Sequence, residues 1–327
     1  MARMMRGLDR VLFALIAAGG AVWAGLAMFV QLAPPLRWLG WAALAVALIA
    51  AVVLRRRSRM AGWLVLALAA GAAGLWYQTI QPRADRDWAP DVAHGVTARV
   101  QGDTVTLSDI RDFRWSAPDR AEERWITRSY ELSQLETVDM FTSVWSNPAI
   151  AHVLVSFGFA GGDHVVFSAE IRRERGEVFN ELGGFFRQFE LVLIAATEQD
   201  IVRLRTNYRK EEVSLFPVSL TPEQRREMFM AYVGLAGRLE QRPEFYNTLT
   251  ANCTTVVWRI ARMVYPNLPV GGGLVLSGYV PDYLNRLGLL GGQGSLAERR
   301  AAARIDARAQ AATEADFSTA IRAPLTP

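Results

Sequence analysis

Three long stretches without a charged residue constrain the first quarter of this chain more than any other feature. A transmembrane helix needs about 20 apolar residues to cross a hydrocarbon core that is about 30 Å thick. The first and third stretches meet that length, and Leu36 and Arg37 can extend the second, because the arginine can reach toward the membrane surface. A cleaved signal peptide does not explain the first stretch, because it is too long and two more follow it. The sequence therefore predicts a three-helix membrane anchor in residues 1–82, with spans over 11–36, 38–54 and 60–82.

The arginines around these stretches predict the orientation of the spans. Arg3, Arg6 and Arg10 precede the first stretch, Arg37 alone lies in the first loop, and four arginines cluster at 55–59 in the second loop. Cytoplasmic loops carry the excess of positive charge, so the N-terminus and the second loop are predicted to be cytoplasmic. Three crossings then place residues 83–327 outside, which in a Gram-negative cell is the periplasm. We therefore expect a multi-pass inner-membrane protein that has the lipid bilayer as a partner.

From residue 83 onward the composition is that of a globular domain, and about 240 residues are enough to bury a full core. The formal net charge is +4 and the charges are interspersed without a basic stripe, so nucleic acid is not an expected partner. The chain has one cysteine, Cys253, and three histidines, His94, His152 and His164. Their spacing is not that of metal ligands, so neither a metal nor another cofactor is expected. His94 lies in the linker region and His164 beside a turn, where we expect it to be exposed.

Alternating and turn-forming segments after the membrane region predict an α+β domain that has an antiparallel sheet. A polar linker over 82–90 leads into it, and Gly161-Gly162-Asp163 is typical of a tight hairpin. Thr221 is predicted to cap one helix, a second helix is predicted over Cys253–Val264, and from Ser295 we expect a weak helix with a frayed end. Strands are predicted over 96–107 with a turn at 101–103, and over 125–135, 150–160, 164–172, 189–196 and 213–218.

Cys253 is the candidate nucleophile. Asn252 is a favoured N-cap residue, which places Cys253 at the first position of the predicted helix. The free amides and the dipole of a helix N-terminus favour an anion, so the pKa of the thiol is expected to be lowered. The same helix start, with Asn252 and Thr254, can stabilise an oxyanion on an attacked carbonyl. A buried structural cysteine that begins a helix explains the local pattern equally well.

His152 is the candidate base, since a nucleophilic cysteine needs one and an ionisable side chain is unusual within a predicted strand. A hydrogen-bonded core histidine is the alternative. If the hairpin turns at its two glycines, His152 lies opposite Ile171, or opposite Glu170 after a one-residue change in register, at about 5 Å between Cβ atoms. Glu170 is therefore the candidate for orienting the imidazole. A salt bridge from Glu170 to Arg172 or Arg173 is equally compatible with the sequence.

Four segments carry a combination of motifs: Ala151-His152-Val-Leu-Val-Ser-Phe-Gly-Phe, Phe167-Ser-Ala-Glu-Ile-Arg-Arg-Glu, Phe245-Tyr-Asn-Thr-Leu-Thr and Asn252-Cys-Thr-Thr. Phe189-Glu-Leu and Leu204-Arg-Thr-Asn lie between them. In this order the motifs resemble the Lnb N-terminal periplasmic domain family, over about residues 110–290. That family is similar to circularly permuted papain-like thiol enzymes, the NlpC-like and lecithin:retinol acyltransferase group, in which the histidine strand precedes the cysteine helix. The resemblance implies a permuted papain-like fold with Cys253 as nucleophile, His152 as base and Glu170 as the motif acid.

The resemblance also implies a chemistry, because the Lnb system is associated with N-acylation of bacterial lipoproteins through a thioester. This chain differs from the namesake in that its spans precede the periplasmic domain. We therefore expect a membrane-tethered thiol acyltransferase or hydrolase that acts on a lipid, a lipoprotein or another acyl substrate at the membrane surface. A cell-wall peptidase with the same Cys-His pair and a non-catalytic, membrane-anchored binding domain are the alternatives.

The expected organisation has four parts: an anchor over 1–82, a linker with leading strands over 83–109, the Lnb-like domain over 110–290 and a C-terminal tail over 291–327. Tyr246, Asn247 and the apolar segment 271–280 are candidates for lining the substrate groove. Ordinary packing is the alternative for each of them.

Overall fold

The computed structural model describes residues 2–323, and the chain forms two compact units. A membrane unit contains the residues up to Arg83 together with Asn180–Phe189. A globular unit contains Ala84–Phe179 and the chain from Glu190 onward. The predicted combination of three apolar N-terminal helices and a mixed α+β domain is confirmed.

Three helices, each long and apolar enough to cross a membrane, make up most of the membrane unit: α1 (Ala2–Gln31), α2 (Pro34–Arg57) and α3 (Arg59–Gln78). The shortest has 20 residues and spans about 30 Å. Their ends differ from those of the uncharged stretches, because backbone hydrogen bonding continues a helix through charged residues. The arginines that end α2 are an example.

Asp9 joins the two arginine-rich segments of the membrane unit. Its carboxylate forms ion pairs with Arg55 and Arg59, and it accepts a hydrogen bond of 3.0 Å from the indole of Trp63. The start of α1 and the junction between α2 and α3 therefore lie at the same end of this unit. That arrangement is what the predicted topology requires of these two segments.

The insertion Asn180–Phe189 also packs on the spans, which the sequence did not indicate. It contains a short helix, α4 (Glu181–Phe185). Gln31 at the end of α1 donates a hydrogen bond of 2.6 Å to the carbonyl of Phe186. Arg187 donates to the carbonyl of Tyr77 at 2.8 Å and to that of Ile80 at 3.1 Å. These bonds hold the insertion against the ends of α1 and α3.

The sheet of the globular unit has eight strands, and a two-stranded hairpin lies beside it. The strands of the sheet are β1 (Thr97–Gln101), β2 (Thr104–Arg111), β5 (Trp125–Glu131), β6 (Leu135–Val144), β7 (His152–Phe159), β8 (His164–Arg172), β9 (Glu190–Ala196) and β10 (Glu212–Pro217). The hairpin consists of β3 (Arg114–Ala117) and β4 (Arg120–Glu122). The order in the sheet is β1-β2-β9-β8-β7-β6-β10, and β5 pairs with the other side of β2.

The sheet departs from the prediction in two places. One neighbouring pair, β2 and β9, runs parallel, so the sheet is not purely antiparallel. The predicted strand over 125–135 ends at Glu131, and a single 3-10 turn separates it from β6, which we did not predict. Strand β6 is buried at almost every position from Val138 onward, so it does not show the alternation that reveals a half-exposed strand.

Aromatic packing fixes the helix α6 (Pro222–Gln241) on one face of the sheet. Phe157 and Phe167 project from β7 and β8 toward this helix, where Phe229 and Tyr232 are also almost completely buried. The rings of Phe167 and Tyr232 stack with their centroids 4.8 Å apart. Removing a buried ring of this kind costs about 3–5 kcal/mol, so this cluster holds the central strands in place.

Shorter helices complete the globular unit. As predicted, Thr221 caps α6 and a helix forms over Cys253–Val264. This helix, α7, packs against β7 and β8. The chain also forms α5 (Glu198–Arg203), a π-helical turn over Leu204–Tyr208, and α8 (Val280–Arg286).

The C-terminal tail is better ordered than the sequence suggested. It forms α9 (Leu296–Ala303), α10 (Asp306–Ala311) and α11 (Phe317–Ala320), and Ile305, Phe317 and Ile321 are buried in a hydrophobic core on the face of the sheet opposite α6. The helix predicted after Ser295 is confirmed, but the tail forms three short helices that pack on the sheet instead of one weak helix. The large apolar residues of the tail are irregularly spaced, so they predict no amphipathic helix, yet Ile305, Phe317 and Ile321 are buried. The frayed end was predicted for residues that include 324–327, which lie outside the described part of the chain.

Candidate active site

Cys253 begins α7 because Asn252 caps that helix. The Asn252 Oδ1 accepts hydrogen bonds from the amides of Thr254 at 3.0 Å and Thr255 at 2.9 Å, and the Thr255 hydroxyl accepts one from the Asn252 amide. This reciprocal cap is the predicted helix start. It also occupies the Thr254 amide, which we had expected to face an oxyanion. The Cys253 amide, the first of the helix, is not used by the cap.

His152 begins β7, and its ring is held from the neighbouring strand β8. Its Nε2 lies 2.7 Å from the Ser168 hydroxyl and 3.1 Å from Glu170 Oε1. Ser168 donates its only proton to the same Glu170 oxygen at 2.8 Å, so its oxygen accepts from Nε2. The proton of a neutral His152 ring is therefore on Nε2. That leaves Nδ1 as the basic nitrogen, and the Cys253 thiol lies within hydrogen-bonding reach of this imidazole.

The register of β7 and β8 brings His152 and Glu170 together. Val155 lies opposite Phe167, and continuing this register by three residues places His152 opposite Glu170. The first predicted register, opposite Ile171, is therefore wrong by one residue, and the alternative that we considered is correct. A one-residue difference in loop length changes which side chains share a face of the sheet.

Arg205 provides the positive charge behind Glu170. Its Nη2 lies 3.2 Å from Glu170 Oε1, while its Nη1 donates to the carbonyl of Ile201 at 3.0 Å. Arg205 is 5% exposed and lies on the π-helical turn. The suggested salt bridge from Glu170 to Arg172 or Arg173 is absent among the described residues, since these two donate to the chain around residues 91–93.

Our sequence reasoning did not assign Ser168 and Arg205 to the site. Ser168 had a usable signal, because residues two apart on a strand share a face and Ser168 therefore lies on the same side as Glu170. Arg205 stood in the Leu204-Arg-Thr-Asn motif, but only the tertiary structure brings it to β8. These side chains therefore form a continuous polar network that runs from Arg205 through Glu170 and Ser168 to His152 and ends at the thiol.

The network sets the protonation of its members. Burial opposes the charged imidazole, but the Glu170 carboxylate and the Cys253 thiolate outweigh it and raise the pKa of His152 to about 9. Burial raises the pKa of the Cys253 thiol, whereas His152, the Val153 amide and Thr254 lower it, with a net lowering. Burial likewise disfavours the Glu170 carboxylate, yet His152 and Arg205 hold its pKa well below the usual value. These directions favour a thiolate–imidazolium pair.

The other candidate residues lie in different surroundings. Asn247 accepts hydrogen bonds from the amides of Leu249 and Thr250 and so shapes the loop before α7. Tyr246 packs against the aromatic core and meets the ring of Phe179 at 6.5 Å. His164 is only partly exposed, and its Nδ1 donates to the carbonyl of Gly162. His94 is exposed.

An apolar cavity adjoins the thiol. The cavity is partly open to solvent. Two of its lining residues, Val153 and Thr254, also touch the sulfur: the Val153 amide through a hydrogen bond and the Thr254 hydroxyl at 3.8 Å. The rest of the lining is almost entirely apolar and comes from β6, α7, α8 and the segment 273–280, with Met140, Val257, Trp258, Leu274, Val280 and Tyr283 among it. Of the predicted groove residues, Gly273, Leu274 and Val280 from the segment 271–280 line the cavity, and so does Thr254, which was predicted for the oxyanion.

Comparison with known protein families identifies a related family. The family model of the Lnb N-terminal periplasmic domain matches residues 121–277. That range contains His152, Ser168, Glu170, Arg205 and Cys253. No curated protein and no solved structure matches the chain.

Proposed function

Since residues 121–277 are a domain of the Lnb N-terminal periplasmic domain family, we propose that this membrane-anchored periplasmic protein is a thiol acyltransferase or hydrolase. Its substrate is a lipid, a lipoprotein or another acyl donor at the surface of the inner membrane. The family and the three candidate spans support the anchored, periplasmic setting. For the orientation of the spans we retain the positive-inside assignment, with the N-terminus in the cytoplasm.

The observation that carries the proposal is the arrangement of Cys253, His152 and Glu170. A thiol at a helix start, an imidazole within reach and a mostly buried carboxylate on the other ring nitrogen are the groups that nucleophilic catalysis requires. A structural cysteine needs none of these partners. The Arg205 guanidinium behind the carboxylate keeps it charged, and the charge keeps the imidazole oriented.

In the proposed reaction, His152 takes the thiol proton at Nδ1 and the Cys253 sulfur attacks the carbonyl carbon of an ester. The Cys253 amide, which the helix cap leaves unused, donates to the oxyanion. When the tetrahedral intermediate collapses, the C–O bond breaks, the imidazolium protonates the leaving alcohol and the acyl group remains on sulfur as a thioester. An amine or water then attacks the thioester, gives a proton to His152 and releases Cys253, with the acyl group on the amine or as the free acid.

The apolar cavity favours an acyl substrate over a cell-wall peptide. A muropeptide carries amide and carboxylate groups, and an almost wholly apolar lining leaves such groups without partners. A hydrocarbon chain gains about 0.8 kcal/mol for each buried CH₂. Because Val153 and Thr254 border both the cavity and the sulfur, a chain in the cavity has its carbonyl end near the nucleophile.

The proposal is tested by trapping the thioester. Membranes with the full-length protein are treated with a lipid ester that carries an alkyne-tagged long acyl chain, and the protein is then examined for a label that hydroxylamine removes. We expect the wild type and His164→Ala to be labelled and Cys253→Ala to be unlabelled. The mass of a lipoprotein N-terminus, from cells with and without the protein, then separates N-acylation from hydrolysis.

Two results contradict the proposal. If Cys253→Ala and His152→Ala support every phenotype of the wild type, the domain acts by binding alone. If the protein releases muropeptide fragments and forms no acyl thioester, the same residues act as a peptidase.

A further inference from the structure

A segment of the globular unit exposes apolar side chains beside the cavity. Between Arg262 and Asp282 the chain has no charged residue. Within this segment Val270 is 78% exposed, Val275 is 68% exposed and Tyr279 is 47% exposed. The same segment supplies Gly273, Leu274 and Val280 to the cavity lining, so one side of it faces the cavity and the other faces solvent.

The loop before His152 extends this apolar surface. The amide of Gly278 donates to the carbonyl of Ala149 at 3.0 Å, and the amide of Ala151 donates to the Ser277 hydroxyl at 2.7 Å. The loop carries two further exposed apolar side chains, and we call the combined set the portal surface: Trp145, Ile150, Val270, Val275, Leu276 and Tyr279.

The composition of the portal surface fits a membrane better than a protein partner. Soluble proteins rarely expose a large apolar patch unless it binds another protein, a ligand or a membrane. Trp and Tyr are the residues enriched at the level of lipid headgroups, and the uncharged segment has no side chain whose charge must be desolvated. The spans of this same chain keep the globular unit close to a bilayer, which raises the effective concentration of that partner.

We propose that the portal surface inserts into the outer leaflet of the bilayer and is the route by which a lipid acyl chain enters the cavity. The membrane contact stands by itself, whereas the passage of an acyl chain rests on the proposed function. An acyl chain on this route moves from the lipid interior to the cavity without crossing water, because the segment 270–280 borders both.

The membrane contact is tested with a fluorophore. Cys253 is the only cysteine, so Cys253→Ala gives a full-length background in which Val275→Cys can be labelled with an environment-sensitive dye. Val100→Cys is the matched control, since Val100 is a valine with 45% exposure on β1. In proteoliposomes with quencher-bearing lipids we expect a blue shift and strong quenching at position 275, and neither at position 100.

Equal spectra and equal quenching at the two positions overturn the membrane contact. A blue shift at position 275 that is insensitive to quencher lipid and depends on protein concentration also overturns it, because a second protein copy then covers the surface.

A second experiment separates this inference from the proposed function. Val275→Asp with Leu276→Asp places two charges on the portal surface, so we expect slower thioester formation from a membrane-embedded lipid ester. Alkylation of Cys253 by the small water-soluble reagent iodoacetamide is expected to be unchanged, which also shows that the site is intact. An unchanged rate with the lipid ester contradicts the acyl route. Lipid quenching at position 275 without any thioester in the wild type contradicts the proposed function and leaves the membrane contact standing.

Discussion

The imidazole of His152 and the carboxylate of Glu170 face each other across two neighbouring strands, with Nε2 3.1 Å from Oε1. Both side chains are mostly buried, and the Ser168 hydroxyl bridges them. Because the two residues lie on adjacent strands of the sheet, the backbone ladder holds their relative position. The thiol at the start of α7 meets an imidazole whose orientation is already set.

The pH dependence of Cys253 alkylation is the first prediction. Because the pKa of the Cys253 thiol is lowered, we expect its rate of alkylation by iodoacetamide to reach half of its maximum at a pH below the ordinary thiol pKa of about 8.5. We call this pH the midpoint. In His152→Ala the midpoint is expected to rise, since burial then opposes the thiolate without the imidazolium that favours it. His164→Ala is the control and is expected to behave as the wild type. Equal midpoints in wild type and His152→Ala contradict a coupled pair.

Glu170→Gln is expected to slow thioester formation by about 100-fold or more. The amide removes the negative charge that raises the pKa of His152. In a plot of the rate of thioester formation against pH, the alkaline limb, near pH 9 in the wild type, therefore moves to lower pH. Glu212→Gln is the control, because Glu212 is an exposed glutamate that pairs with Arg304. An unshifted alkaline limb in Glu170→Gln means that the carboxylate does not control the imidazole.

Arg205 is predicted to be a positioning residue that acts through Glu170. Arg205→Met removes the cation 3.2 Å from the carboxylate, so the pKa of Glu170 rises and the carboxylate becomes protonated at a higher pH. We therefore expect the acidic limb of the pH–rate profile to shift to higher pH, and Arg205→Lys to restore it in part. A loss of stability with an unshifted profile in the folded fraction indicates a purely structural role.

The length of the accepted acyl chain is expected to depend on Val257. Val257→Phe fills part of the cavity, so the rate with a long-chain ester is expected to fall about 10-fold more than the rate with a short-chain ester. Met263→Phe is the control, because Met263 lies on the same helix, is 62% exposed and does not line the cavity. Equal losses with both esters contradict a chain-binding role.

The tail is predicted to stabilise the domain through Arg322. This side chain pairs with Asp139 at 2.7 Å and Glu198 at 2.6 Å, and both carboxylates are buried. Arg322→Ala leaves them without their cation, which we expect to lower the free energy of unfolding by about 3–5 kcal/mol. Arg304→Ala breaks the ion pairs of an exposed arginine with the exposed Glu212 and the partly exposed Asp306, and it is expected to cost about 1 kcal/mol or less. Denaturant unfolding of the full chain in detergent measures both, and similar losses contradict a structural role for the Arg322 pairs.

The sequence by itself determined the features that depend on local chemistry. The absence of charge predicted three long apolar helices, the glycines at 161–162 predicted the hairpin, and Asn252 predicted a helix that starts at Cys253. Each follows from the properties of a few neighbouring residues, such as hydropathy, backbone freedom and capping.

Only the tertiary structure decided which of these features meet. The sequence was compatible with two registers for the pairing of β7 and β8. A shift of one residue between them decides whether His152 faces Ile171 or Glu170. The contacts of Arg205 with Glu170, of Arg322 with Asp139, and of the insertion Asn180–Phe189 with the spans join residues far apart in the chain. Such contacts depend on how whole elements pack, and no local pattern of residues encodes that packing.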